Sequence, residues 1–326
     1  MSTPHDITVA IVGATGFVGR HVTRALLAQG HAVRTLVRDR DKARAVLPPG
    51  ASWVFGDATS RTALNELMTG ANAVVNCVGI RREWLPDVTF ENAHQRTTRA
   101  CIEAAESAGV ARFIQISALG TRPNAPTAYH RSKHEAEQFV RRSRLDWTIL
   151  RPSLIHGPDG EFMKIVKDWT LGRSAPFFVL PYFARVAPPA GFPPIPKPES
   201  ARLQPVHVDD VAGAVVACLR QAEAIGEVYP SVGPDIMDWP QLLATIRDSL
   251  PLSDGKKKIV PLPGVLASAF ARAAEAVGLG AALPFGPSEP IMAIEDNTAA
   301  LDKARHQLAI HPRPFAASLR QYAAQV

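Results

Sequence analysis

The sequence is sparing with cysteine, with aromatic residues and with long apolar runs. Its three cysteines, Cys77, Cys101 and Cys218, lie far apart and form no Cys-x-x-Cys pair. A disulfide or metal framework is therefore not expected, and the thiols are read as buried and reduced. No apolar stretch reaches the roughly 20 residues that cross a bilayer. The N-terminal residues Met1 to Asp6 are polar and lead straight into an apolar stretch, so no signal peptide is expected. Neither sign of charge dominates: the formal net charge is +6. The positive residues are scattered apart from Arg81-Arg82, Arg141-Arg142 with Arg144, and Lys256 to Lys258. These read first as solvated surface, with an acidic membrane surface or a protein partner as the alternative. The modules of nucleic-acid binding are missing, and no nucleic-acid partner is expected.

What is present begins with Gly13-Ala14-Thr15-Gly16-Phe17-Val18-Gly19. This Gly-x-x-Gly-x-x-Gly run follows an apolar strand, Ile7 to Val12, and opens a helix that stops at Gly30. Glycines at this spacing let the backbone turn sharply and approach a pyrophosphate, which the helix then meets with its positive end. Further strands are expected at Val33 to Arg38, Trp53 to Asp57, Ala73 to Gly79, Phe113 to Ser117 and Trp147 to Pro152. Helices between them are expected at Arg61 to Met68, Glu91 to Ala108 and Tyr129 to Arg142. Such alternation implies right-handed crossovers and a doubly wound parallel α/β sheet. It puts Gly13, Gly79 and Ser117 at carboxyl ends of strands, where such sheets bind ligands.

The end of the second strand bears on the cofactor. Val37 and Arg38 stand where an NAD-selective enzyme usually has an acidic residue, and arginine suits a 2′-phosphate. NADP(H) is favoured, while Asp39 keeps NAD(H) open. Asp57 could accept from an adenine amino group or begin the turn into the next helix. Tyr129 and Lys133 form Tyr-x-x-x-Lys, and residues four apart share a helical face. A nearby ammonium would lower the tyrosine pKa from about 10 and fit it to acid–base work beside a nicotinamide. His130 and His134 share the same spacing. They read better as flanking surface histidines than as metal ligands, and no metal site is assigned. His207 beside Asp209 reads as a structural pair, and Asp209 or Asp210 as the cap of the helix running to Arg220.

Beyond Pro152 the character changes. Leu180 to Pro205 is rich in proline and is expected to be an irregular excursion or flap. Helices are expected at Trp239 to Leu250, Val265 to Val277, Thr298 to Gln307 and Pro314 to Ala324. The alanine-rich stretch Val265 to Leu283 reads first as core packing, with an apolar substrate pocket or a partner contact as alternatives.

The glycine loop, Leu36-Val37-Arg38, Asn76-Cys77-Val78-Gly79-Ile80, Ser117-Ala118-Leu119-Gly120 and Tyr129-His130-Arg131-Ser132-Lys133 together resemble the extended and atypical short-chain dehydrogenase/reductases. The residues from Ile149 to Pro158, Val206 to Ala212 and Glu295 to Asn297 continue the likeness. It is greatest to the branch of the NADPH-binding accessory subunit of respiratory complex I and its bacterial relatives. The resemblance implies a Rossmann domain over 1–155, with 204–232 returning to it, and a small, mostly helical substrate region over 156–203 and 233–326. It implies cofactor contacts from Gly13, Thr15, Gly16, Phe17, Val18, Gly19, Arg38, Asp57, Ala58, Cys77, Val78, Gly79, Ser117, Lys133, Pro152 and Ile155. Tyr129, Lys133 and Ser117 are the implied catalytic residues. Two departures stand out. The serine or threonine that polarises a carbonyl in active relatives aligns with Ala118, and an asparagine of the helix after strand four aligns with His94.

Three functions are weighed on this basis. One is an NADPH-dependent oxidoreductase of a carbonyl or quinone-like apolar substrate. Another is a non-catalytic NADPH-binding assembly, stability or redox-sensing subunit of a larger complex. The third, a sugar-nucleotide epimerase or dehydratase, is disfavoured by Arg38. The expected location is cytoplasmic, with peripheral membrane contact left open.

Overall fold

The computed structural model describes residues 7–187 and 197–326. In chain order the elements are β1 (Thr8–Val12), α1 (Phe17–Ala28), β2 (Ala32–Val37), α2 (Arg40–Val46), β3 (Ser52–Phe55), α3 (Arg61–Met68) and β4 (Ala73–Asn76). A π-helical turn, Glu91–Arg96, then leads into α4 (Thr97–Ser107), followed by β5 (Arg112–Ile116), α5 (Ala128–Arg142), β6 (Asp146–Pro152), β7 (Ile155–His156) and α6 (Glu161–Leu171). Next come β8 (Val179–Ala187), β9 (Lys197–Glu199), β10 (Arg202–Leu203), β11 (Val206–His207), α7 (Val208–Arg220), β12 (Glu227–Ser231) and β13 (Met237–Asp238). The chain finishes with α8 (Trp239–Ser249), β14 (Lys258–Pro263), α9 (Gly264–Ala276), α10 (Ser288–Ala293), α11 (Asp302–Leu308) and α12 (Phe315–Tyr322).

Two compact units result. The first takes the chain as far as Pro152 together with Val208–Ser231 and Ala300–Pro312. Its core is a seven-stranded parallel sheet in the order β12-β6-β5-β4-β1-β2-β3. The first strand shows why: Val9, Ala10, Ile11 and Val12 are all buried, the pattern of a strand covered on both faces by helices. α1 packs on α7, while α3, α4 and α5 pack in succession. The chain reverses its direction of travel across the sheet between β1 and β4, which are neighbours. That reversal opens the crevice where doubly wound sheets receive ligands. β12 is an edge strand that pairs with β6 alone, the kind of strand in which a proline such as Pro230 is tolerated.

The second unit comprises Ser153–His207, Val232–Ala299 and Arg313–Val326. It is largely helical, and its core gathers Met163, Val166, Leu180, Leu242, Leu243, Ile246, Phe315 and Leu319. It also contains a three-stranded sheet, β14-β8-β9. The expected irregular excursion is thus partly a strand: β8 pairs in parallel with β14 through six residues, Pro181 included. Leu180 is buried, and burial of its side chain outweighs the proline's resistance to pairing. The proline-dense residues 188–196, which carried the flap expectation, lie outside the described residues, as do Met1 to Asp6.

α9 meets the core through one face. It buries Gly264, Ser268, Ala271 and Ala274, while Val265, Leu266, Phe270, Val277 and Leu279 are exposed. Its small residues, not its large ones, face the core. Among the described residues no helix is long and apolar enough to cross a membrane.

Candidate functional site

The first unit brings the glycine loop and the exit of β4 into direct contact. Gly13 has φ +83, a left-handed conformation that favours glycine. A Cβ there would lie 2.9 Å from backbone atoms of Cys77 and Val78. A Cβ on Gly19 would lie 2.2 Å from the Gly13 carbonyl oxygen. The loop therefore closes tightly on the neighbouring strand exit and on the helix it starts. Gly16 is the N-cap of α1, no side chain caps that helix, and its first turn has no acidic residue. Its first N–H groups are available to an anionic ligand. Thr15, Phe17 and Val18 line the same turn and are half-buried. The cradle fits a dinucleotide pyrophosphate.

At the end of β2 the Arg38 guanidinium is exposed and donates to Asp57 Oδ2 at 3.4 Å. Asp57 Oδ1 accepts from both the amide and the hydroxyl of Thr59 at 2.8 Å. Burial works to raise the Asp57 pKa, but the Thr59 hydrogen bonds and the Arg38 charge outweigh it and hold it below the ordinary carboxylate value. Ala58 beside it packs on the core. Asp39, the acidic alternative at this position, caps α2 by accepting from the Lys42 amide at 2.9 Å. Arg40 stacks over Phe55.

The exit of β4 is held by Asn76, which is fully buried. Its amide donates to Thr98 and Gln115, and its oxygen accepts from the Val78 amide. Cys77 follows, with its thiol pushed up to about 12 by burial, an effect Lys133 partly opposes. Gly79 lies against Lys133, whose Nζ would be 2.9 Å from a Cβ at that position.

α5 supplies the next layer, since Tyr129, Lys133 and Glu137 recur every four residues on one face. Thr127 caps this helix by accepting from the His130 amide. The Lys133 ammonium donates to the carbonyls of Val78 at 3.3 Å and Ile116 at 3.2 Å. Burial lowers its pKa to about 8, against the opposing pull of Cys77 and Glu137. Tyr129 sits edge-on to Phe90, His94 and His130, with ring centroids 5.8, 5.5 and 5.1 Å away. Burial pushes its hydroxyl up to about 12. That reverses the expected lowering by Lys133: the ammonium is turned to two carbonyls, and desolvation governs the phenol.

Ser117 is buried at the exit of β5, and its hydroxyl donates to Glu137 Oε1 at 2.6 Å. Glu137 is itself wholly buried and receives two hydrogen bonds from Arg151. The Ser117 proton is thereby spent on an internal carboxylate, and the adjacent Ala118 has no hydroxyl to offer. Pro152, the last residue of β6, accepts from the Leu119 amide. Ile155 lies in the second unit, half-buried in β7 opposite Val206.

His94 is the residue whose importance the sequence did not convey. It stands in the π-helical turn, a distortion that is frequent at functional sites. The ring is 1% exposed. Its Nε2 accepts from the Ile80 amide at 3.1 Å, which leaves Nδ1 as the protonated nitrogen facing Ser132 Oγ at 2.7 Å. Ser132 in turn donates to the Tyr129 carbonyl at 2.8 Å. Burial and the Lys133 charge depress the His94 pKa to about 2. A neutral imidazole thus ties the exit of β4 to the first turn of α5.

The other histidines also depart from expectation. His130 is buried, not superficial, and its Nδ1 pairs with the Thr127 hydroxyl. His134 is half-buried. Asp209 pairs with His21 on α1. His207 packs on His156 and Tyr322 in the second unit.

Comparison with known proteins bears on the fold and on the nucleotide. A family model described as NAD(P)H-binding matches residues 13–171. The chain is similar to ceramide reductase of Caulobacter vibrioides, with 32% identity across 82% of this chain and 77% of that protein. It is also similar to NADH dehydrogenase (ubiquinone) 1 alpha subcomplex subunit 9, mitochondrial, of Arabidopsis thaliana, with 29% identity across 76% of this chain. That match takes in 59% of the plant subunit's own length. The solved structure of gox2253 superposes with a TM-score of 0.69 at 25% identity, covering 98% of this chain and 100% of that one.

Proposed function

The chain belongs to the NAD(P)H-binding short-chain dehydrogenase/reductase superfamily, and from that premise we propose that it is an NADPH-dependent reductase of an apolar carbonyl or quinone-like substrate. The observation that carries this reading is the α5 face, with Tyr129 edge-on to three rings and Lys133 against Gly79 at the strand exit. The bound dinucleotide would supply hydride. The chain's part is to hold it and to manage one proton. A tyrosine held up to about 12 keeps its proton at neutral pH and is suited to give it to a reduced oxygen, the direction of reduction. Lys133 would hold the ribose next to the nicotinamide. Arg38 would face the 2′-phosphate, a reading supported by the commitment of Asp39 to the cap of α2.

A second reading has its own support. With Ser117 bonded to Glu137 and Ala118 beside it, the side chain that polarises a carbonyl in active relatives has no counterpart at the strand exit. The chain would then bind NADPH without turning it over, as a subunit or assembly component of a larger complex.

The experiment is NADPH oxidation by the purified protein over a panel of quinones and aldehydes. Turnover that falls by about 10²–10⁴-fold in Tyr129→Phe, with NADPH affinity kept, is the expected result. Retained NADPH with no turnover, and Tyr129→Phe silent, would favour the second reading. Arg38→Ser should weaken NADPH about tenfold or more and leave NADH unchanged, since one charge-assisted contact contributes about 1.5–3 kcal/mol. Titration by protein fluorescence measures both.

A further inference from the structure

One end of the β8–β14 pair in the second unit gathers exposed apolar and basic side chains from two separate turns. The first turn, 172–178, follows α6 and carries Phe177 and Phe178, which are 49% and 85% exposed. The second joins α8 to β14 and carries Leu252, 86% exposed, followed by Lys256, Lys257 and Lys258. The strand register places Lys258 opposite Val179, so the lysine run lies alongside the two phenylalanines. The Lys257 ammonium fixes the arrangement by donating to the carbonyls of Trp169 and Phe177, both at 2.6 Å. Arg247 of α8 donates to the Lys257 carbonyl and neutralises Asp248. Lys256, Lys258 and Arg173 point outward and are exposed. Asp254 is the acidic group within the second turn, its Oδ1 engaged by the Lys256 amide.

Leu252 adds an independent sign. Its φ is +67, in the left-handed region that a leucine adopts only at a cost. The fold thus holds a large apolar side chain outward against both its backbone preference and its solvation. Departures of this kind collect where a chain meets something outside itself.

We propose that this tip is a peripheral docking site for an anionic lipid bilayer, with Phe177, Phe178 and Leu252 entering the interface and Lys256, Lys258 and Arg173 facing lipid phosphates. Charge decides the occupant. Lysine is depleted in protein–protein interface cores, where aromatic residues concentrate. Exposed aromatic residues ringed by lysine are instead the composition of membrane-surface anchors. The proposal is independent of whether the nucleotide site turns over.

The test is sedimentation of the full chain with vesicles of phosphatidylcholine alone and with about 30% phosphatidylserine. The expected result is partitioning onto the anionic vesicles only, weakened as salt shortens the Debye length. The pair Phe177→Ser and Phe178→Ser, and separately the pair Lys256→Glu and Lys258→Glu, should each lower that partitioning at least about tenfold. Melting temperature and NADPH affinity serve as the controls for folding. Equal partitioning onto both vesicle types, or variants that bind as the parent does, would overturn the proposal. So would a parent chain that self-associates in sedimentation velocity and loses this with Phe178→Ser, since the tip would then be a protein interface.

Discussion

The two units depart from the inside–outside rule in opposite directions. In the first, α5 buries Lys133 and Glu137 and surrounds both with hydrogen-bond partners. In the second, two turns hold Phe178 and Leu252 almost fully in solvent. A buried polar group is tolerated only when its partners are in place, so the α5 face is fixed by its surroundings and its role is internal geometry. An exposed apolar group asks nothing of its own chain, so the role of the tip lies outside it. The same contrast separates two buried histidines. Both ring nitrogens of His94 are engaged, whereas His156 in the second unit bonds Tyr322 through Nδ1 and its buried Nε2 has no partner among the described residues.

The contrast breaks most visibly at Glu137. Replacement by alanine removes one half of a buried ion pair and strands the Ser117 hydroxyl, which should cost about 3–5 kcal/mol. Phe178→Ser should stay within about 0.5 kcal/mol, as surface changes do. Urea titration of both variants tests the pair. Comparable losses would mean that the tip is part of the folded core after all.

The histidines allow a finer comparison. His94→Phe leaves the Ile80 amide and Ser132 without their partner and should cost about 1–3 kcal/mol. Acid acts on both rings. Burial, aided by nearby positive charge, depresses His94 to about 2 and His156 to about 3 from the ordinary 6.5. Between those values the unfolded chain binds protons that the folded chain refuses, so stability is full above pH 6.5 and falls as the pH drops toward 3. Each ring contributes a slope of up to about 1.4 kcal/mol per pH unit. Urea midpoints from pH 7 to pH 5 should therefore decline, and His156→Phe should flatten the decline. An unchanged slope in that variant would show that His156 is protonated without unfolding the second unit.

Much of the first unit was legible in the sequence because its signals are local. The glycine loop, the apolar strands and the four-residue spacing of Tyr129 and Lys133 each declare themselves within a short window. What stayed hidden depends on distant partners. β8 and β14 contain Pro181, Pro261 and Pro263, and they pair with each other across 79 positions of chain. Pro230 concealed β12, whose edge position makes it tolerable. The hydrogen bond from Ser117 to Glu137, one α-helix later, is likewise not marked in the sequence around either residue. His94 read as a mere departure from an asparagine, since neither Ile80 nor Ser132 is marked in sequence as its partner.

The smallest expected effect discriminates most sharply between the two kinds of departure. Leu252→Gly removes a left-handed leucine, relieving roughly 1–2 kcal/mol of backbone strain. It returns about 0.4–1 kcal/mol through the greater freedom of glycine in the unfolded chain. Leu252 is 86% exposed, so little burial is lost, and the net should be a stabilisation of about 0.5 kcal/mol. A thermal melt that rises slightly, with partitioning onto anionic vesicles that falls, would show that the leucine is kept at the expense of the fold and for contact beyond it. A melt that drops would place Leu252 among the residues that hold the second unit together, and the contrast between the α5 face and the tip would narrow to the phenylalanines.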